Sequence, residues 1–175
     1  MNWKELIIDG YSRIPELLEN VLKSLTQDDL DWQPRHDCNS IGWLIWHLTR
    51  QQDAQTASLM GKEQLWITDE WHGKFKRKPD PNDIGFGHSP EQVSEFKSPE
   101  TKILLGYNRA VVERSKQYIS DLSETDLDRK LNEPWFHPLP TIGVRLVSIL
   151  DDSVLHAGQA AYVRGLRQGK GWQKY

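Results

Sequence analysis

The stretch IGVRLVSILDDSVLHAGQAAYVRGLRQG, residues 142–169, carries a long helical pattern. Its apolar residues recur at intervals of three and four, and they fall on more than one side of the helix that they predict. These residues are Val144, Val147, Leu150, Val154, Leu155 and Val163. Thr141 precedes them and is a favourable N-cap. A helix that is apolar on several sides is typical of a bundle element with several neighbours.

The same spacing predicts two helices nearer the N-terminus. The first covers residues 3–25, with Asn2 and Glu5 placed as the two partners of a capping box. The second begins after Ser40 or the residue before it, and it continues to about residue 59. Each carries one apolar stripe, which is expected to be buried.

A third helix is predicted from a strong start signal, in which Ser98 is the cap and Pro99 the first helical residue. Its apolar stripe continues to about Leu122. Residues 61–98 hold prolines and glycines but no continuous helical pattern. Because long irregular loops in compact domains are often functional, we expect this crossover to cover a site. The sequence therefore predicts an all-α fold, a four-helix bundle with a long crossover between helices two and three.

The composition predicts one globular domain over residues 1–175. The chain is 37% hydrophobic and 27% charged, which is enough apolar content for a sizeable core. Residues 169–175 are expected to form a tail that frays unless Trp172 and Tyr175 dock on the body or on a second subunit. A net charge of -3 argues against a nucleic-acid binder. The absence of an apolar run of roughly 20 residues, or of a signal-peptide pattern, predicts a cytoplasmic protein with no membrane partner.

Cys38 is the single cysteine of the sequence. It can form no intrachain disulfide, and it cannot supply the thiolate cluster that many metal sites use. Any metal site must therefore be built from histidine and carboxylate side chains. We expect Cys38 itself to be a small, inert residue at a helix start, because no base is identifiable beside it.

Three residues on two predicted helices carry the strongest chemical signal. Asp152 and His156 are four apart, so their side chains lie above one another on one helical face. Burying them is costly unless they bind each other or a metal ion, and the spacing alone leaves both readings open. His47 lies at the edge of the buried stripe of the second helix, where a satisfied core histidine is the commoner case. Together the three would supply two imidazoles and one carboxylate, a set that leaves positions open on Zn, Fe or Ni.

Other residues have weaker claims to a role. Gln159, one turn after His156, could hydrogen-bond a ligand or water, or satisfy a neighbouring helix. Arg145 could pair with a substrate carboxylate or with Asp152, and a structural ion pair is favoured. His137 is interpreted as a loop histidine, with a role as acid or base near the metal as the alternative. Four tryptophans are expected to fill the core and to wall an apolar pocket near the site: Trp43, Trp46, Trp66 and Trp71.

Two segments resemble the signatures of a known family. Residues 40–48, SIGWLIWHL, and residues 144–165, VRLVSILDDSVLHAGQAAYVRG, look like the two signatures of the DinB-like superfamily. The nearest branch is the one named for mycothiol-dependent transferases and maleylpyruvate isomerase. The resemblance implies a bundle that holds one divalent metal at positions matching His47, Asp152 and His156, with zinc expected first and nickel or iron as alternatives. Members of that branch usually place Glu where this chain has Asp152, which is one methylene shorter.

The resemblance also implies an activity. In the matching enzymes a low-molecular-weight thiol binds the metal, loses its proton and attacks a small electrophile, so no protein cysteine is needed. We therefore expect a metal-dependent thiol transferase with a small-molecule substrate. The alternatives are a non-enzymatic metal-binding stress-response bundle and a structural protein in which Asp152 and His156 merely hydrogen-bond. A homodimer is a further expectation from the family. The sequence names neither the thiol nor the electrophile.

Overall fold

The computed structural model describes residues 1–173. This part of the chain is built from helices, turns and loops, with no β-strand. An isolated bridge pairs Lys130 with Thr141. The α-helices, in chain order, are α1 (Trp3–Leu22), α2 (Gln27–Asp31), α3 (Ile41–Met60), α4 (Leu65–Thr68), α5 (Trp71–Lys74), α6 (Pro90–Glu95), α7 (Thr101–Asp121) and α8 (Ile142–Gln168). One short 3₁₀ helix, Thr125–Asp128, lies between α7 and α8, and another, Lys170–Trp172, follows α8. The four long helices α1, α3, α7 and α8 confirm the predicted all-α bundle.

Local hydrogen bonds explain where three of the long helices begin. At α1 the backbone N–H of Glu5 donates to Asn2 Oδ1 at 3.0 Å, and the backbone N–H of Asn2 donates to Glu5 Oε2 at 3.0 Å. This is the predicted capping box. Ser40 Oγ accepts from the third residue of α3 at 3.3 Å, and Thr141 Oγ1 does the same for α8 at 3.3 Å. These starts follow from short-range chemistry that the sequence displays.

The predicted start of α7 is wrong. The helix begins at Thr101, and within the described chain no side chain caps it. Ser98 is instead buried against α2, where its backbone N–H donates to Asp31 Oδ1 at 2.9 Å and its carbonyl accepts from Gln27 Nε2 at 2.9 Å. Tertiary contacts with α2 therefore override the local capping signal of Ser98 and Pro99.

The four long helices pack so that each contacts two others. Helix α1 contacts α7 and α8, and α3 contacts the same two helices from the opposite side. Their shared core contains large, fully buried side chains, among them Leu18, Trp46 and Tyr107. Apolar burial of this extent is the main favourable contribution to the fold. The α3–α8 contact is the one that brings His47 towards Asp152 and His156.

Helix α8 does not bury all of its apolar sides. Its inner face is buried, including Leu146, Ile149 and Ala157. Four apolar residues that the sequence analysis assigned to contacts with several neighbours are more than half exposed instead: Val144, Val147, Val154 and Leu155. Among the long helices of residues 1–173, α8 packs extensively against α1 and α3, and these two do not cover its outward side. That expectation is therefore wrong for these residues.

The crossover from residue 61 to residue 98 is more structured than predicted. It contains α4, α5 and α6, while residues 79–89 run without a helix.

At the C-terminal end of the described chain, the Arg164 guanidinium lies 4.6 Å from the centre of the Trp172 ring, so the tail docks on α8 at this point. Tyr175 lies outside the described residues. None of the helices described in residues 1–173 combines the length and apolar character needed to span a bilayer.

Candidate metal centre

His47 is held in one orientation on α3. Its ring is 5% exposed and stacks on Trp43 with the ring centres 4.7 Å apart. Its Nδ1 lies 2.5 Å from the backbone oxygen of Ile84. Since a carbonyl oxygen can only accept, Nδ1 carries the proton and Nε2 keeps its lone pair. Burial lowers the pKa of His47, which favours this neutral form.

Asp152 and His156 share one face of α8, as their spacing predicts. Asp152 Oδ1 lies 3.5 Å from His156 Nε2. His156 Nδ1 lies 2.8 Å from Gln159 Oε1, so the Nδ1–H donates to the amide oxygen, and in the neutral imidazole Nε2 keeps a lone pair. The Asp152 carboxylate raises the pKa of His156 against the opposing effect of burial. Gln159 therefore holds His156 by a hydrogen bond within α8, while its predicted contact with a ligand or a water stays a prediction.

The two histidines meet across the contact between α3 and α8. Their ring centres lie 4.7 Å apart, and the rings are inclined at 75°. Asp152 Oδ2 is buried and has no hydrogen-bond partner within residues 1–173. A buried oxygen without a partner costs about 1–3 kcal/mol, so it calls for an explanation. Two imidazole lone pairs and one unused carboxylate oxygen thus lie in the same small region.

These donors suit a divalent metal in type. Zinc binds imidazole nitrogen and carboxylate oxygen at about 2.0–2.1 Å, which places two ligands of a tetrahedral ion about 3.4 Å apart. The 3.5 Å between His156 Nε2 and Asp152 Oδ1 is close to that separation. In residues 1–173, however, no three His, Cys, Asp or Glu side chains already stand as a complete metal-binding group. Binding therefore requires side-chain movement, and Asp152, 29% exposed, is the ligand with the most freedom to move.

The crossover contributes a part of this region that the sequence did not reveal. Gly85 has a φ of +87°, and a Cβ there would lie 2.8 Å from His47 Nδ1 and 2.9 Å from the Trp43 and Trp46 rings. Only glycine permits this conformation and this approach together. The glycines at 85 and 87 were visible as loop signals, but no pattern in the sequence connects them with His47.

A cavity of about 700 Å³ adjoins the cluster. Leu44, one turn before His47, and Gln159, which binds His156, belong to both the wall of the cavity and the edge of the cluster. The cavity is open to solvent, since four apolar residues of its α8 side are more than half exposed: Val154, Leu155, Tyr162 and Leu166. The remaining wall comprises Pro34, Asp37, Cys38, Asn39, Gly158 and Val163. Its size is in the range of small-molecule sites. Cys38, expected to be inert, is thus a partly buried free thiol in the wall of this cavity.

Other predicted residues lie elsewhere. Arg145 forms an ion pair with Glu133 and donates to Gln55 Oε1 at 3.1 Å, so it is engaged in structural contacts instead of with Asp152. His137 is exposed in the loop before α8. Among the four tryptophans, Trp46 and Trp66 are fully buried in the core and cannot wall an open pocket, while Trp43 stacks on His47 and Trp71 packs on Tyr107.

The fold and this cluster define an all-α four-helix bundle with facing histidine and carboxylate side chains on two of its long helices. A family model described as the DinB superfamily matches residues 11–160, and the chain belongs to that superfamily. Among solved structures, a conserved protein from Enterococcus faecalis is similar, with 32% identity, a TM-score of 0.89, and coverage of 97% of this chain and 99% of that one. No curated protein matches the sequence. The resemblance seen in residues 40–48 and 144–165 is therefore confirmed at the level of the superfamily.

Proposed function

We propose that the protein binds one divalent metal ion through His47, Asp152 and His156, and that it activates a low-molecular-weight thiol for attack on a small electrophile. One observation carries the proposal. Both imidazoles donate a hydrogen bond from Nδ1 to a carbonyl oxygen, of Ile84 and of Gln159, and in their neutral forms keep a lone pair on Nε2, while one oxygen of Asp152 is buried without a partner in residues 1–173. Zinc is the first expectation for this N,N,O donor set, with nickel or iron as alternatives.

The protein's own groups set up the chemistry. The carbonyl oxygens of Ile84 and Gln159 fix the tautomers of the two histidines and increase the electron density on Nε2. Three protein ligands leave at least one position for a substrate. A bound divalent ion lowers the pKa of a thiol that binds it, and so supplies a thiolate near neutral pH. Cys38 is not needed as the nucleophile in this scheme.

The adjoining cavity is suited to hold the reactants. The apolar side chains of its wall can cover an apolar body of the electrophile, and Gln159 both lines the cavity and hydrogen-bonds His156. The thiol proton leaves to solvent. The sulfur then forms a bond to the electrophilic carbon as the leaving group departs with its electron pair. Arg145 is paired with Glu133, so it does not serve as a receptor for a substrate carboxylate.

The first experiment is elemental analysis of untagged protein, with His47→Ala and His156→Ala as variants. We expect about one metal ion per chain in the wild type and a loss of metal in both variants. His137→Ala is the matched control, because this histidine is exposed in a loop, and it should keep its metal. Folded wild-type protein without metal, even after reconstitution, would contradict the metal site.

A second experiment separates the transferase from a metal-binding protein without activity. Cobalt-substituted protein is titrated with cysteine and glutathione, and its absorption spectrum is followed. Direct binding of sulfur should add an intense near-ultraviolet band, and an electrophilic chloro-aromatic should then lose chloride in the presence of the thiol. A bound cobalt ion whose spectrum ignores every thiol would favour the metal-binding stress-response alternative.

A further inference from the structure

Arg50 lies on α3, one turn after His47, and its side chain is fully buried. All five of its N–H groups have acceptors within hydrogen-bond distance. The acceptors are Asp83 O at 3.1 Å, Gln64 Oε1 at 2.8 Å, Tyr107 Oη at 3.2 Å, Asp80 O at 3.3 Å and Pro81 O at 3.1 Å. The guanidinium therefore has one fixed position in the core.

Three of these acceptors are backbone carbonyls of the crossover, at Asp80, Pro81 and Asp83. The next carbonyl along the chain belongs to Ile84, and it accepts the Nδ1 proton of His47. Helix α3 thus holds residues 80–84 at two points, one turn apart. Arg50 fixes the path of residues 80–84, and His47 hydrogen-bonds the last carbonyl of this segment.

Residues 80–84 have further contacts besides those with Arg50. The Asp83 carboxylate pairs with Arg77 at 2.6 Å and with His88 Nε2 at 3.0 Å. Gln64 Nε2 donates to Pro81 O at 3.1 Å, while its Oε1 accepts from Arg50. Gln64 therefore also holds residues 80–84, through one direct hydrogen bond to a carbonyl that Arg50 binds as well.

We propose that Arg50 is a positioning residue that acts on His47 through residues 80–84: it aligns the Ile84 carbonyl, which fixes the Nδ1-protonated tautomer of His47 and directs Nε2 towards Asp152 and His156. The use of that Nε2 in metal binding rests on the proposed function. The tautomer and the ring orientation belong to the metal-free protein and do not depend on it. Arg50 itself contacts neither the metal nor the substrate in this scheme.

The test measures the His47 tautomer directly in metal-free protein, by long-range ¹H–¹⁵N correlation spectra of protein labelled in its histidines. In the wild type, Nδ1 should be protonated and Nε2 should not. Arg50→Lys keeps a positive charge beside the buried Asp53 carboxylate, whose Oδ2 lies 3.7 Å from Arg50 Nη1, but it loses the fork of donors. His47 should therefore exchange between tautomers. Cobalt affinity, measured by titration, should fall about 10–100-fold, as when other outer partners of a ligand are lost.

Tyr107→Phe is the matched control. The Tyr107 hydroxyl accepts from Arg50 and donates to Asp53 at 2.7 Å, so its loss disturbs the same buried cluster without removing any of the hydrogen bonds to residues 80–84 described above. The His47 tautomer and the cobalt affinity should be unchanged in this variant. If Arg50→Lys does not fold, Gln64→Ala replaces it, with a smaller change of the same kind expected at His47.

Each outcome decides the inference. Protonation at Nε2 in wild-type protein would overturn it, and so would a His47 signal that Arg50→Lys and Tyr107→Phe alter equally. If Gln64→Ala is the variant measured, an unchanged His47 signal would also overturn it. A correct tautomer that responds to Arg50→Lys supports the inference even if the wild type binds no cobalt, in which case only the proposed function fails.

Discussion

Two polar clusters lie one turn apart along α3, around Arg50 and around His47. They differ in how completely the carboxylate of each is hydrogen-bonded. Around Arg50, the Asp53 carboxylate is fully buried and accepts from Leu65 N at 3.0 Å, Trp66 N at 2.8 Å and Tyr107 Oη at 2.7 Å. Around His47, the Asp152 carboxylate keeps one buried oxygen without a partner in residues 1–173. A carboxylate with both oxygens hydrogen-bonded stabilises the fold, whereas a carboxylate with an unpartnered oxygen beside two histidines is available to a ligand.

The largest expected effect is at the satisfied cluster. Asp53→Ala would leave the Arg50 guanidinium buried without a counter-charge, and it would remove acceptors from the Leu65 and Trp66 amides. Breaking a buried ion pair in this way costs about 3–5 kcal/mol. Urea denaturation of metal-free protein measures the free energy of unfolding. Asp152→Ala is the control and should cost less than about 1 kcal/mol, since its side chain is 29% exposed and one of its oxygens has no hydrogen bond to lose. Equal losses in the two variants would remove the distinction between the clusters.

The second effect concerns the cluster with unused donors. A metal that binds only the folded state stabilises it by about 2.7 kcal/mol when the free ion is at 100 times Kd. Zinc added to metal-free wild-type protein should therefore raise Tm, and chelator should reverse the change. His47→Ala and His156→Ala should abolish the rise, whereas His137→Ala should preserve it because His137 is exposed. A zinc-induced rise that survives in His156→Ala would place the metal elsewhere.

The third prediction tests how closely the crossover is packed on His47. In Gly85→Ala the new methyl would meet His47 and two indole rings at 2.8–2.9 Å. Overpacking of this kind costs about 1–3 kcal/mol, and it should also weaken zinc binding by displacing the Ile84 carbonyl. Gly87→Ala is a matched control, since Gly87 also has a positive φ, of +76°, but has nothing within 4 Å of its Cβ position in the described chain. Chemical denaturation should show a loss for Gly87→Ala of only about 1 kcal/mol, the strain of a left-handed backbone.

Much of the fold is readable from the sequence because it depends on local chemistry. Asn2 with Glu5, Ser40 and Thr141 start their helices by bonds that span three residues, and the apolar spacing gives the four long helices. Ser98 shows the limit, because its distant partners Gln27 and Asp31 decide its conformation. A start signal describes what a segment prefers alone, and it does not include such contacts.

The candidate site divides along the same line. The spacing of Asp152 and His156 predicts that they share a face, and the position of His47 in its stripe predicts that it can approach them; the structure places the three side by side. Their use as metal ligands stays a prediction. The carbonyl of Ile84 was out of reach of sequence reasoning, because every residue has a carbonyl and only the path of the chain decides which one meets His47. The same holds for the outward apolar side of α8, since periodicity shows two apolar faces without showing that one lacks a neighbour.

The smallest expected effect comes from Asp29, a carboxylate that is satisfied like Asp53 but lies near the surface. It accepts from the backbone and the hydroxyl of Thr26 and pairs with Arg167, and these contacts lower its pKa, the Thr26 bonds most. Because the folded-state pKa lies below the unfolded one, its stabilisation is complete above the unfolded pKa and is lost as the pH falls through the folded pKa. At neutral pH Asp29→Asn should lower the free energy of unfolding by less than about 1 kcal/mol, since solvent screens the pair. This loss should disappear in acid, where wild type and variant are both uncharged at position 29. Denaturation at a series of pH values measures this, with the exposed Asp28→Asn as control. A cost for Asp29→Asn that persists in acid would mean that side-chain shape, instead of charge, sets the contribution of a satisfied carboxylate.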